Sequence, residues 1–504
     1  MIKTILIEKL ESCVETTRKE LNIKKSVDDK DLDIKALTKR LHRGEYKAGM
    51  IDGEYSDYVT YMINDHIKSG RSLSGNVIVL DGYDGAVHVS STNNEIGIVS
   101  FSSLIFQESF FVDDITTATS NNILTWMQSI TDESRETLLP LLIPIFESQK
   151  KLRAAASTTM EGVTFYYYQC HDAKCIYVLT GHAHWNRLKK PYLLCKCNRG
   201  DGARDMNHVC TFISDDEQEE LHDKSEKQWK KHEQDPNYTE AEHREWVADN
   251  NEGVSHVGVH PSLLPQSSIR PDVFHLGCAI RKGLITYLRS FAVRQSQLFQ
   301  NKLVKLLATF WPEGVLYLWK LEKPFTSLKG DDVKRFVLAG PDIADLLIES
   351  FVEDRWVLSI AKALRLWYDI ERFLKVGNIQ FEAKEKNVPV GTLIDQFEKN
   401  ITEFYLVGST SFMKANRVSD LETYYLHCLR FYIPKLARET WERHQCGIGI
   451  YSMQGFQRRN KESKSIMNKF NNNKQHRIPQ QLRRLWDIFF RPRKKKERKK
   501  KKIN

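Results

Sequence analysis

The sequence predicts an α/β chain: a mixed sheet, a helical N-terminal segment before it, and a large helical insertion interrupting it. Three observations predict this. Runs rich in β-branched and aromatic residues, punctuated by Gly, Asp and Asn-Asn, fill Val77–Phe106 and return at Val163–Tyr168 and Lys174–Leu179. From Leu276 to about Cys446, apolar residues recur every three to four positions, the period of a helix face. Acidic residues stand at or beside the ends of the β-rich runs and at the head of the long helical pattern.

Taken in order, residues 1–72 read as a polar helical segment, with apolar residues at helical spacing in Ile34–Leu41 and Tyr55–Ile67. Residues 73–283 hold the first part of the sheet. Arg71–Gly75 is a loop, and the runs Val77–Leu80, Ala86–Val89 and Ile96–Phe106, joined by two short connections, predict an antiparallel meander. A helix follows over Arg135–Leu152, which Pro140 and Pro144 limit near its start or kink. Within the same part, 170–210 is cysteine-rich, and the charged stretch 215–250 predicts a surface helical pair. Residues 284–446 form the helical insertion, 447–478 return to the core with a basic helix, and 479–504 are a basic tail.

Composition narrows the classes. Hydrophobic residues make up 41% and aromatic residues 11%, enough to build cores, so the chain is globular. No run of about 18 apolar residues occurs, so no membrane span or membrane partner is expected. The opening MIKTILIEKLESC turns charged too early for a secretory signal, which points to an intracellular protein. The formal charge is +10, of which Arg491–Lys502 carries +9, leaving a body near neutrality with one concentrated basic arm. Such an arm serves as a nuclear-localisation signal or a phosphate clamp, or is simply a solvated end. Nine cysteines, an odd number, argue against a disulfide framework. No Gly-x-Ser-x-Gly elbow, P-loop or His-Glu-x-x-His occurs, which sets conventional hydrolases aside.

Five constellations carry chemistry, each with a plainer reading beside it. Asp81 and Asp84 sit in a Leu-Asp-Gly-Tyr-Asp-Gly-Ala run, where glycine lets a backbone approach a metal-bound carboxylate; the plainer reading of Asp-Gly is a β-turn. Asp172 lies between two β-rich runs, where a hairpin turn is the plainer reading. Asp272 and His275 form an Asp-x-x-His step ahead of a helix, which Asp272 would cap in any case. Cys195, Cys197, His208 and Cys210 are four soft or borderline ligands within sixteen residues, suited to a tetrahedral Zn²⁺ site, against reduced cysteines in a buried strand. Cys170, Cys175 or His222 are substitutes for one ligand. Last, Glu462 stands alone among Arg458, Arg459, Lys461 and Lys464 on the late basic helix. It is either a metal ligand beside a DNA-phosphate surface or the partner of Arg458 or Arg459 in an intrahelical salt bridge.

In this order the segments resemble a cut-and-paste DNA transposase of the DDE type. The strand ending Leu80-Asp81-Gly82-Tyr83-Asp84-Gly85-Ala86, the Asp172-Ala173-Lys174-Cys175 step, and a late Glu on a helix after an inserted domain carry the resemblance. Asp272-Val273-Phe274-His275 matches the C/D-x-x-H step of the hAT, mutator-like and Kolobok-type superfamilies. The resemblance implies a ribonuclease-H-like mixed sheet, catalytic carboxylates drawn from Asp84 or Asp81, Asp172 and Glu462, and Asp272 and His275 as accessory groups. It also implies Mg²⁺ as the catalytic cofactor, DNA as the partner, a homo-oligomer when active, and the nucleus as the place of action. Two departures stand out: the first acid is shared between Asp81 and Asp84, and Gln457 falls where an acid is expected; residues 1–70 also hold no Cys/His finger or clear helix-turn-helix. Alternative readings are an inactive, transposon-derived DNA-binding protein and a helical interaction scaffold.

Overall fold

The computed structural model describes residues 48–50, 55–68, 71–91, 94–113, 123–130, 135–159, 162–182, 192–198, 201, 205, 207–235, 237–250, 253–310, 335–410 and 424–470. The Ile34–Leu41 pattern and the basic tail lie outside these residues. The fold is mixed α/β and mostly helical, built around one mixed sheet.

The predicted meander resolves differently from its sequence reading. The first two runs are a single long strand, β2 (Gly75–Ser91), following a short β1 (Ala48–Met50) and helix α1 (Tyr55–Lys68). Asp81 through Gly85 stays in the ladder, with Asp81 opposite Ser103 and Asp84 opposite Ser100 of β3 (Asn94–Phe106), so no turn forms there. The cause is burial: Val77, Ile78, Val79 and Leu80 are all covered, as in a central strand packed on both faces. Gly82 fits the same setting, because a Cβ there would meet the Phe456 ring at 2.7 Å. β4 (Leu124–Ile130) pairs antiparallel on the far side of β3, and β1 pairs antiparallel with β4 beyond it.

The chain then crosses over through α2 (Arg135–Thr159), which contains both Pro140 and Pro144, and enters β5 (Val163–His171) parallel to β2. A parallel neighbour needs such a crossover, since no tight turn can return the chain in the same direction. Lys174–Leu179, predicted as a strand, belongs instead to helix α3 (Ala173–Thr180). Short apolar runs do not separate strand from helix by pattern alone. Here Asp172 caps the helix, and Gly181 at φ 72° ends it. The charged stretch is the helical pair α4 (Asp215–Gln234) and α5 (Glu240–Asn250). A short β6 (Ile269–Pro271) adds parallel to β5 and gives the order β1-β4-β3-β2-β5-β6.

Helices follow: α6 (Val273–Ala292), α7 (Gln297–Phe310), α8 (Gly340–Ser350), α9 (Arg355–Leu374), α10 (Ile379–Glu385), α11 (Val390–Thr410), α12 (Tyr424–His427), α13 (Ile433–His444) and α14 (Gln454–Phe470). One apolar cluster runs from the sheet into these helices. Within it, Arg281 of α6 meets Glu371 of α9 at 2.6 Å, and Trp367 Nε1 donates to the same carboxylate at 3.1 Å. Both charged side chains are buried; Lys375 also pairs with Glu371, so it is removal of Glu371 that would leave Arg281 without its carboxylate.

Asp81 ties the sheet to its helices. It is fully buried and accepts from Tyr55 Oη of α1 at 2.8 Å, Gln169 Nε2 of β5 at 3.2 Å, Ser103 Oγ of β3 and Gln149 Nε2 of α2. Burial raises its pKa from 3.8 to about 6, against the pull of these donors. A folded pKa above the unfolded one means that this group's contribution to stability is complete below pH 3.8 and lost as pH rises through 6. Wild type should therefore gain on Asp81→Asn by up to about 3 kcal/mol between neutral pH and pH 4. Urea melts of both proteins across that range check this; a pH-independent difference would refute it.

Candidate acidic site and candidate metal centre

Strand alternation separates the two candidate first acids. Residues 81 and 84 are an odd number of positions apart on a regular strand, so their side chains leave opposite faces. Asp81 enters the face covered by α1 and α2. Asp84 takes the face where α14 lies, and Asn460 Nδ2 donates to its Oδ2 at 2.8 Å. The parallel register pairs Asp81 with Gln169, so three residues further on Asp84 arrives beside Asp172. Asp84 and Asp172 line one small cavity with Tyr83, Val99, Leu138, Lys174 and Cys175. Asp172 Oδ1 also accepts from the Cys175 amide at 2.8 Å, capping α3.

The Asp-x-x-His step completes this end of the sheet. Asp272 is 3% exposed. Its Oδ1 accepts from the Phe274 amide at 2.8 Å and the Met453 amide at 2.9 Å, and its Oδ2 from the His275 amide at 3.1 Å and from His275 Nδ1. Capping and pairing are thus both realised. Burial depresses the His275 pKa, but the Asp272 hydrogen bond and the charges of Asp272, Asp172 and Asp84 outweigh it and lift the value to about 9. His275 is an imidazolium at neutral pH. The Gln457 amide nitrogen lies 2.6 Å from His275 Nε2. An imidazolium donates from both nitrogens, so the amide must turn its oxygen toward the ring.

Helix α14 therefore brings Asn460 to Asp84 and Gln457 to His275, the partner of Asp272. Glu462 is placed elsewhere: its oxygens lie 3.3 Å from Arg459 Nη1 and 3.8 Å from Arg458 Nε. That is the salt-bridge alternative read from the sequence. Arg459 is itself buried, which removes it from any surface that could meet phosphate. Arg458 and Lys461 are exposed, and Lys464 is on the same helix.

The cysteine-rich segment gathers a second constellation. Cys195 bridges to Phe212, bringing the Cys195–Cys197 arm beside Cys210. The four ligand atoms within 4.8 Å of one another are those of Cys195, Cys197, Cys210 and His427, not His208. His427 Nε2 is 3.2 Å from Cys195 Sγ, and Cys197 Sγ is 3.5 Å from Cys210 Sγ. His208 Nε2 touches Cys197 Sγ alone, at 3.1 Å. Tyr192 stacks on the His427 ring at 3.5 Å and 9°, and Tyr432 Oη donates to Cys195 Sγ at 3.2 Å, fixing both ligands from outside. Three thiols and an imidazole, mostly buried, are the donor set of a structural zinc site and can bind such a metal. Hydrogen bonds from Cys195 and Cys210 hold the Cys197 thiol well below the ordinary thiol range, while the same contacts and burial push Cys210 up. Of the suggested substitutes, Cys170 donates to the Tyr451 carbonyl at 3.2 Å, and Cys175 lines the acidic cavity.

His427 was out of reach of spacing arguments, since it follows Cys210 by more than two hundred residues. Its signal is a fully buried histidine in the apolar run Tyr424–Tyr432. His427→Ala should abolish stoichiometric Zn²⁺ at this cluster, whereas His208→Ala retains it, as metal analysis of the purified proteins would show. Equal loss in both would return His208 to the ligand set.

No family model matches this sequence and no curated protein is similar to it, so the chemistry of both sites rests on their own geometry.

Proposed function

We propose that this chain is a transposase-like, DNA-binding protein on a ribonuclease-H-like sheet, in which the acidic site has lost its third carboxylate. The arrangement that carries the reading is Asp84 on β2 beside Asp172, which follows β5 and caps α3, with Asn460 of α14 on Asp84 and Gln457 of α14 on His275. The sheet order supports it: antiparallel strands β4-β3-β2, with β1 added antiparallel on the edge of β4, continue into two parallel ones, β5-β6.

The local charge favours an inactive protein over an active one. Two-metal phosphodiester chemistry needs carboxylates enough to offset two divalent cations about 4 Å apart. Asp84 and Asp172 offer hard oxygens fit for a single Mg²⁺, and an amide oxygen is a neutral and weaker ligand. The His275 imidazolium and the Asn460 N–H on Asp84 already take up part of that negative charge. The residues do not fit a second ion, and no cleavage step follows from them. What remains is recognition of DNA, through Arg458 and Lys461 and the basic arm Arg491–Lys502, in the nucleus.

The full chain should bind duplex DNA with an affinity that falls steeply between 50 and 200 mM salt, and should not nick it with Mg²⁺ or Mn²⁺. Gln457→Glu should raise Mn²⁺ affinity by about tenfold and admit metal-dependent nicking that Asp172→Asn removes. Nicking by the unaltered chain at the level of Gln457→Glu, or retention on DNA indifferent to salt, would overturn the proposal.

A further inference from the structure

Helix α4 carries a group of ligating side chains that neither site uses. Glu219, His222 and Asp223 are three and four residues apart, on one face of the helix. His260, from the loop that follows α5, stands against that face, with its ring centroid 4.8 Å from that of His222. His222, Asp223 and His260 offer ligand atoms within 4.8 Å of one another, a second such group among the described residues. His260 Nε2 lies 3.7 Å from Glu219 Oε1, and His222 Nδ1 lies 3.8 Å from Asp223 Oδ1.

His222 points to a ligand. It is 7% exposed, yet neither ring nitrogen has a hydrogen-bond partner. A buried imidazole with both nitrogens unmatched costs stability that an ordinary surface histidine would not. Its companions are half exposed and have the rotamer freedom to close on an ion. His260 Nδ1 lies 3.0 Å from Ser262 Oγ and accepts from the Ser262 amide at 3.2 Å, contacts that fix the ring from its far side.

We propose that His222, Asp223 and His260, with Glu219 at the rim, form a second metal site that takes a borderline cation of the Zn²⁺ class. Two imidazoles and a carboxylate favour such an ion over Mg²⁺, which prefers oxygen and water. The ion would fasten α4 to the loop that carries His260. That loop is already anchored on α3, where the Val259 amide donates to the Leu179 carbonyl at 2.7 Å. The site thus ties the charged helical pair to the helix that Asp172 caps.

Zn²⁺ and Co²⁺ titrations of the full chain test this independently of any DNA chemistry. The unaltered chain should bind two equivalents, one at the cysteine cluster and a weaker one here. His222→Gln with His260→Gln should drop the count to one and keep the intense thiolate-to-cobalt absorption of the cysteine cluster, which also reports an intact fold. Should that double variant lose this absorption too, the exposed substitution Asp223→Asn decides, with an expected loss of about tenfold in the weaker affinity. His427→Ala should show the converse, cobalt bands without thiolate absorption. Asp84→Asn with Asp172→Asn should leave both equivalents in place. Two equivalents retained by the His222/His260 variant, unchanged affinity in Asp223→Asn, or loss of the second equivalent with Asp84 and Asp172 would each overturn the assignment.

Discussion

One buried carboxylate holds the acidic end of the molecule together. Asp272 ends β6, caps α6 through two amides, fixes His275 and accepts from the Met453 amide just ahead of α14. The last of these contacts spans most of two hundred residues. It sets where α14 begins, and so which of its side chains reach β2. Phe456 then drops onto Gly82, where no larger residue leaves room, while Gln457 reaches His275 and Asn460 reaches Asp84. Charged, multiply hydrogen-bonded and nearly dry, Asp272 is the kind of group whose loss leaves several buried donors unmatched at once.

The same geometry explains why two aspartates three residues apart live such different lives. Asp81 faces a closed interior and meets four donors from α1, α2, β3 and β5. Asp84 faces a cavity and shares it with Asp172. Composition is identical; only the side of the pleat differs. An acid raised toward neutrality by burial and an acid kept near solvent can therefore occupy one strand without competing for one role.

The cysteine cluster joins parts of the chain that the acidic site does not. Its three thiols come from a short arm on either side of 201–207, and its imidazole from the end of α12, beside a π-helical turn over Cys428–Tyr432. A π turn re-aims side chains within a helix, and here it stands next to a ligand. Tyr192 and Tyr432 brace that ligand set from two directions. Holding these segments by metal ligation rather than by apolar contact would make their association depend on deprotonated thiols.

Periodicity made the mostly helical stretch from Leu276 to about Cys446 legible, and residue type the charged pair before β6 and the β character of Val77–Leu80, Ala86–Val89 and Ile96–Phe106. These are local properties, set by which face of an element must be buried. The sequence also marked Asp272 by its place at the head of a helix, a local signal, whereas Asp172 stood out only through the order of the acidic segments, its own run reading as a hairpin turn. What it left open was set by contacts across the chain. The Asp81–Gly85 run is strand rather than turn because helices cover it on both faces, and Lys174–Leu179 is helix because Asp172 caps it. His427 in place of His208, and Gln457 and Asn460 in place of Glu462, were decided by packing between segments hundreds of residues apart, for which spacing along the chain carries no information.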